Sequence, residues 1–410
     1  MKPLLELVPL EVVDTIIDMV ANEDEENHSN VKACSLTCQT FLPRCRKHIF
    51  FWIHIVDAGG KLDKFVKLIE YSPWIARHIR VLILSVEVVS LSQTSLSAFD
   101  HITNLHALGV YLTVNAFQKP SWMEIQPNVR SALLRLMHLP TISCLCFGNV
   151  DGILPSDLIP CTNLDLLLMD DAGFKEDCEL TKAIKSNRLH LTASSAQNMV
   201  NILRKGHTSG KPIFDFRELR DLSFGLDPAS ECYQYHQLVK DTYRLETIHL
   251  CMTYMSTATN FASLLVTSLG SLRFLNIHIS TFGLDTMSLL CGELQNIAAS
   301  NFIELLSLNL LIDVTIGNRI QEIQWDLLDK VLLAPEQWLS LQRFDLWVYI
   351  DHSELHPVDD EKFDETVAKI RDAQLSGLLS IQLLFYTRRY RTLRLPRHMI
   401  DKYSQSAISY

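Results

Sequence analysis

The feature that most constrains what this chain can fold into is a recurring spacing of aliphatic residues, one, the next three positions on, another two further, which returns along most of its 410 residues. Copies stand at Ile79/Leu82/Leu84, Leu105/Leu108/Val110, Ile142/Leu145/Phe147 and Leu164/Leu167/Met169. Clearer ones follow at Leu219/Leu222/Phe224, Leu245/Ile248/Leu250, Leu272/Leu275/Ile277 and Leu305/Leu308/Leu310. Leu341/Phe344/Leu346 and Leu378/Ile381/Leu383 close the series, and Leu189-x-Leu191 reads as a degenerate member. The copies from Leu219 to Leu272 are spaced by 26 and 27 residues, and the later ones widen to 33, 36 and 37. Alternate residues of a strand share a face, so each copy predicts a short strand with one apolar side. A unit this small cannot bury that side alone and has to stack on its neighbours.

Between strands the pattern changes period. Leu284, Met287, Leu290, Cys291, Leu294 and Ile297 recur at three and four residues, which predicts a helix with one buried face. Strand and helix in alternation point to an α/β architecture with a parallel sheet. The pattern and its period resemble the leucine-rich repeat, which implies an irregular leucine-rich-repeat-like solenoid over residues 76–395, followed by a tail over 396–410. The competing reading is a non-repetitive α/β domain with Leu-rich strands.

The positions between the leucines separate two regions. Early copies carry Val81 and Ile83, Cys144 and Cys146, Leu166 and Leu168, an apolar set that predicts strands covered on both faces. Later copies carry Arg220, Asp221 and Ser223, then Glu246, Thr247 and His249, then Arg273, Phe274 and Asn276, and finally Gln342, Arg343 and Asp345. Mixed charge around an aromatic suits a protein-binding surface, which makes Arg220, Asp221, Glu246, His249, Arg273, Phe274, Asn276, Arg343 and Asp345 the candidate substrate-binding residues. An ordinary solvated sheet face is the plain alternative.

The first fifty residues have a different character. Pro9 stands where a fixed φ and a missing N–H suit a first helical turn, and Val13, Ile16, Ile17 and Val20 then recur at helical spacing. Beyond the acidic stretch Asn22–Asn27, Val31, Cys34, Cys38, Phe41, Leu42 and Cys45 form a second stripe that Pro43 interrupts. Val8-Pro9-Leu10-Glu11 and Leu36-Thr37-Cys38-Gln39-Thr40-Phe41 resemble the two signature helices of the F-box, with Val for the opening Leu and Gln39-Thr40 for two arginines. The continuation from Phe41 to Phe50 is similar to the fungal branch of that family. The resemblance covers residues 1–50, with a connecting helical segment over 51–75. It implies a small helical F-box that docks on a Skp-type adaptor joined to a cullin scaffold, through Val8, Pro9, Val12, Ile16, Leu36, Cys38 and Phe41. The implied role is substrate recognition for a ubiquitin ligase, with an unknown protein as substrate. An interaction scaffold unconnected with ubiquitination is the alternative.

Composition narrows the remaining classes. The chain is 48% hydrophobic and 20% charged with a mean hydropathy of +0.11, which describes a folded protein with a large core. Its richest apolar run, Val81 to Val86, is stopped by Glu87, well short of the roughly 20 residues a membrane helix needs. No secretory signal opens the sequence, so the ten cysteines read as reduced side chains in a cytoplasmic or nuclear protein. A formal net charge of −10 has the wrong sign for nucleic acid. Five arginines between Arg388 and Arg397 read as a solvated terminal strand more than a site for an acidic ligand.

Catalytic and metal motifs fail on spacing. Gly206-His207-Thr208-Ser209-Gly210-Lys211-Pro212 has one residue too few between its glycines and Pro where a metal-binding hydroxyl is required. Cys45-x-x-His48 and Cys144-x-Cys146 lack a second ligand pair, and Pro357 with its acidic neighbours makes the His352/His356 region a loop. The expectation is a non-enzymatic protein without cofactor or metal.

Overall fold

A computed structural model describes residues 9–23, 29–56, 60–88, 96–113, 119–175, 183–209, 213–226, 235–240, 242–256, 259–280, 285–298, 302–313, 325–332, 338–351 and 379–386. Val8, the His352/His356 region, the arginines beyond residue 387 and the tail lie outside them, as do Gly210, Lys211 and Pro212.

Helices α1 (Leu10–Glu23), α2 (Ser29–Thr37) and α3 (Leu42–Ile49) open the chain around a small core of Ile17, Ala21, Val31 and Cys45. Val20, Cys34, Phe41 and Ile49 close its sides. Pro43 does not kink a helix; it sits in the first turn of α3, where a missing N–H costs nothing. Arg44 and His48 on α3 converge on Asp18 of α1, with Arg44 Nε donating to Oδ1 at 2.6 Å and His48 Nε2 at 2.7 Å from the same oxygen. Those contacts, the Arg44 hydrogen bond first, hold the Asp18 carboxyl down at about 2.

The rest is mixed α/β, built on a large parallel sheet. Its strands are β1 (Trp52–Val56), β2 (Val81–Glu87), β3 (Ala107–Thr113), β4 (Cys144–Gly148), β5 (Leu166–Asp170), β7 (Arg188–Leu191), β9 (Asp221–Leu226), β10 (Thr247–Met252), β11 (Phe274–Ile279), β12 (Leu305–Asp313), β13 (Arg343–Asp351) and β14 (Leu379–Tyr386). They lie side by side in chain order, all parallel, in one 12-stranded sheet. A separate pair, β6 (Ile184–Lys185) and β8 (Phe214–Asp215), flanks it. Helices α4 (Lys61–Tyr71), α5 (Pro127–Met137), α6 (Ala193–Ser209), α7 (His236–Val239), α8 (Phe261–Leu265), α9 (Thr286–Ala298) and α10 (Trp325–Leu332) return the chain between strands, with 3₁₀ turns in the shorter connections. α9 buries Met287, Leu290, Cys291, Leu294 and Ile297, as its periodicity predicts.

Register explains why the sequence pattern works. One row of the sheet runs Ile53, Leu82, Leu108, Leu145, Leu167, Leu189, Leu222, Ile248, Leu275, Leu306, Phe344, Leu379, each paired with the next. From Leu82 to Phe344 every member is buried in one continuous apolar core. The degenerate Leu189-x-Leu191 is thus a full strand of the sheet.

Four expectations need correction. Residues 52–56 are a strand, the first of the sheet, and not part of a helical connection. The copy placed at Leu305/Leu308/Leu310 is out of frame by two: Leu306 and Leu308 pair with Leu275 and Ile277, so the unit begins at Ile303, which is fully buried. The last copy slips likewise, since Leu379 and Ile381 pair with Phe344 and Leu346. A Leu-rich run satisfies two frames two residues apart because both put the same side chains inward. Finally, most of the apolar x positions of the early strands are half-buried rather than covered; Leu166 alone of the six is buried.

Candidate functional site

The sheet's second face carries the polar residues in two registered rows. Arg188, Asp221, Thr247, Phe274, Leu305 and Arg343 form one; His190, Ser223, His249, Asn276, Ser307 and Asp345 form the other. Sequence reasoning therefore places Asp221, His249, Phe274, Asn276, Arg343 and Asp345 together correctly. It misses Arg188 and His190, because the strand that holds them shows only two of its three leucine positions.

Many of these side chains satisfy one another. Arg343 binds Asp345 through Nε to Oδ1 and Nη2 to Oδ2, both at 2.8 Å, and Asp345 is buried beneath it. Asn309 donates to Asn276 at 2.7 Å, one strand over. Phe274 stays partly exposed. Arg188 clasps Asp165, Nε at 2.9 Å and Nη2 at 2.5 Å from Oδ2.

Asp221 is different. Its Oδ1 accepts no hydrogen bond within the described residues, and it faces His190 Nε2 at 3.9 Å and His249 Nε2 at 4.0 Å. Burial pushes the Asp221 carboxyl up to about 7, Arg188 opposing and Asp165 assisting. Burial, helped by His249 and Arg188, holds His190 down to about 3, so that ring is neutral at pH 7. The group is a nearly dry patch of polar side chains in the middle of the open face.

The remaining three candidates, Arg220, Glu246 and Arg273, stand just before their strands instead of on the face. Their backbones continue the ladder, with Glu246 N–H donating to Arg220 O and Arg273 N–H to Glu246 O, both at 2.9 Å, and Glu304 N–H to Arg273 O at 2.8 Å. Their side chains line a groove of about 500 Å³ along the starts of the strands, together with the turn residues Tyr243, Arg244, Gly270, Ser271, Phe302 and Ser340. Sequence reasoning missed the turn residues because they lie outside the leucine pattern, and missed Glu304 because the frame of that copy was slipped.

At the other end of the molecule, α1 presents Val12, Ile16 and Met19 at positions i, i+4 and i+7, which are 46%, 52% and 59% exposed. Pro9 and Leu10 are also exposed, and Leu36 on α2 is 87% exposed. Ile16 is therefore not part of the small core that Ile17 enters. Cys38 is half-buried in the turn after α2, where its Sγ accepts from Thr40 N–H at 3.3 Å; that hydrogen bond lowers its thiol pKa. Phe41 packs against the core and so supports the surface from within.

Among the described residues no His, Cys, Asp or Glu cluster could hold a metal ion, and no helix is long and apolar enough to cross a membrane. No family model matches the chain, and no curated protein matches it.

Proposed function

We propose that this chain is a substrate-recognition adaptor: an F-box at its N-terminus docks on a Skp-type adaptor of a cullin-based ubiquitin ligase, and a leucine-rich-repeat-like sheet holds a protein substrate. The observation that carries the reading is the apolar stripe Val12, Ile16 and Met19 on α1. Beside the F-box-like residues Pro9-Leu10-Glu11, these side chains face outward from a three-helix unit that already has its own core. Large apolar side chains grouped on a small unit favour a partner that covers them. Arg46 on α3, stacked 4.4 Å from the ring centre of Trp74, joins that unit to the 3₁₀ turn Pro73–His78 that leads into β2, which would keep a docked adaptor near a bound substrate. The chain itself then supplies proximity, and ubiquitin transfer belongs to the assembled ligase.

Co-expression with a Skp-type adaptor tests this. The full chain is expected to co-purify with the adaptor, and the Ile16→Asp variant to lose it while keeping the circular dichroism of the wild type. A folded Ile16→Asp protein that still binds, or a wild type that never does, removes the reading and leaves a scaffold outside any ligase as its replacement.

A further inference from the structure

We infer that the groove along the strand starts is a peptide-binding site for a short extended segment carrying one large aromatic or aliphatic side chain flanked by carboxylates. The shape comes from one missing side chain. Tyr243 and Gly270 occupy equivalent turn positions, four residues ahead of the registered pair Thr247 and Phe274. A Cβ on Gly270 would meet nothing within 4 Å, so its repeat leaves a notch where the one before puts a tyrosine. Tyr243, 67% exposed, and Phe302, 59% exposed, line the groove on either side. Two large rings left in water beside an open notch form an anchor pocket of the kind that aromatic side chains fill at interfaces.

Charge selects the flanks. Three guanidinium groups, of Arg220, Arg244 and Arg273, line the groove against two carboxylates, of Glu246 and Glu304. Glu304 is already engaged by Arg273 at 3.2 Å, and Arg244 is held toward Glu218 at 2.5 Å. Neither Arg220 nor Glu246 makes an ion pair with a described residue; the lining still carries one more guanidinium than carboxylate, and the planar fork of Arg220 can take a carboxylate bidentately.

The inference deepens the substrate half of the proposed function but needs no adaptor, so it is tested on the full chain alone. The probe is a fluorescein-labelled peptide with one central phenylalanine between aspartates, followed by fluorescence polarisation. Its controls replace the phenylalanine by alanine or the aspartates by lysines. The acidic aromatic peptide is expected to bind saturably, and each control, the Gly270→Trp variant and the Arg220→Glu variant to weaken it by about tenfold or more. Gly270→Trp fills the notch; Arg220→Glu, at an exposed position, covers the case in which the tryptophan disturbs folding. Absence of saturable binding, equal binding of all three peptides, or undiminished binding by both variants would overturn the inference. Preference for the lysine peptide would also overturn it, by giving the groove to a basic partner through Glu246 and Glu304. Success here with failure of adaptor co-purification would keep the site and discard the ligase.

Discussion

Replacing Asp221 by Asn should convert a pH-sensitive stability into a less sensitive one, and the size follows from where the carboxyl sits. With a folded-state pKa of about 7 against 3.8 unfolded, the folded protein keeps the proton longer. Its contribution is complete below pH 3.8 and is lost as pH rises through about 7, at about 1.4 kcal/mol per pH unit. Between pH 5 and pH 8 wild type should therefore lose roughly 2 to 3 kcal/mol relative to the Asp221→Asn variant, less whatever the 14% exposure of the side chain relieves. His190 acts in the opposite sense. Held at about 3 against 6.5, it gives stability that is full above pH 6.5 and falls as pH drops toward 3. Because the two slopes oppose each other between pH 3.8 and 6.5, wild type alone is uninformative there, and the difference between the two proteins isolates Asp221. Urea unfolding followed by circular dichroism at pH 5, 6, 7 and 8 gives that difference directly. Asn mimics the protonated acid and cannot ionise, so the stability of the variant relative to wild type should grow from pH 5 to about pH 7 and level off toward pH 8. A difference that changes by less than about 0.5 kcal/mol across the range would show that Asp221 is solvated or paired, and would refute the account of the patch.

Other perturbations test separate parts of the fold. Leu250→Ala removes a fully buried member of the apolar face of β10 and is expected to cost about 2 to 5 kcal/mol, read from the urea midpoint. Gly225→Ala would put a Cβ 2.6 Å from the backbone nitrogen of Ala193, which cannot rotate away, so a loss of about 1 to 3 kcal/mol is expected with no change in the small N-terminal core. Arg44→Ala should loosen α3 from α1 by about 1 kcal/mol, discounted for the partial exposure of Asp18; wild type should lose this advantage in acid as pH falls from 3.8 through about 2. Ile16→Asp, on an exposed face, should shift stability by less than about 0.5 kcal/mol, measurable beside the adaptor pull-down.

Much of the fold was legible in the leucine spacing, because burial of one strand face is a local rule that repeats with every strand. The mixed α/β class, the parallel pairing and the helix at 286–298 all follow from two periodicities, and so do the polar positions Asp221, His249 and Asn276 that share the open face. What the spacing cannot express is register. The run from Leu305 to Leu311 accepts a frame two residues off, and only its pairing with β11 decides that Ile303 begins the unit. Likewise β1 carries just Ile53 and Ile55 of the pattern, and its place in the sheet comes from its partner β2. The dry contact of Asp221 with two histidines and the notch at Gly270 depend on side chains from three strands or turns far apart in sequence. Tertiary structure alone decides such features, because the distance between neighbouring strands is set by the sheet and not by the residues that separate them along the chain.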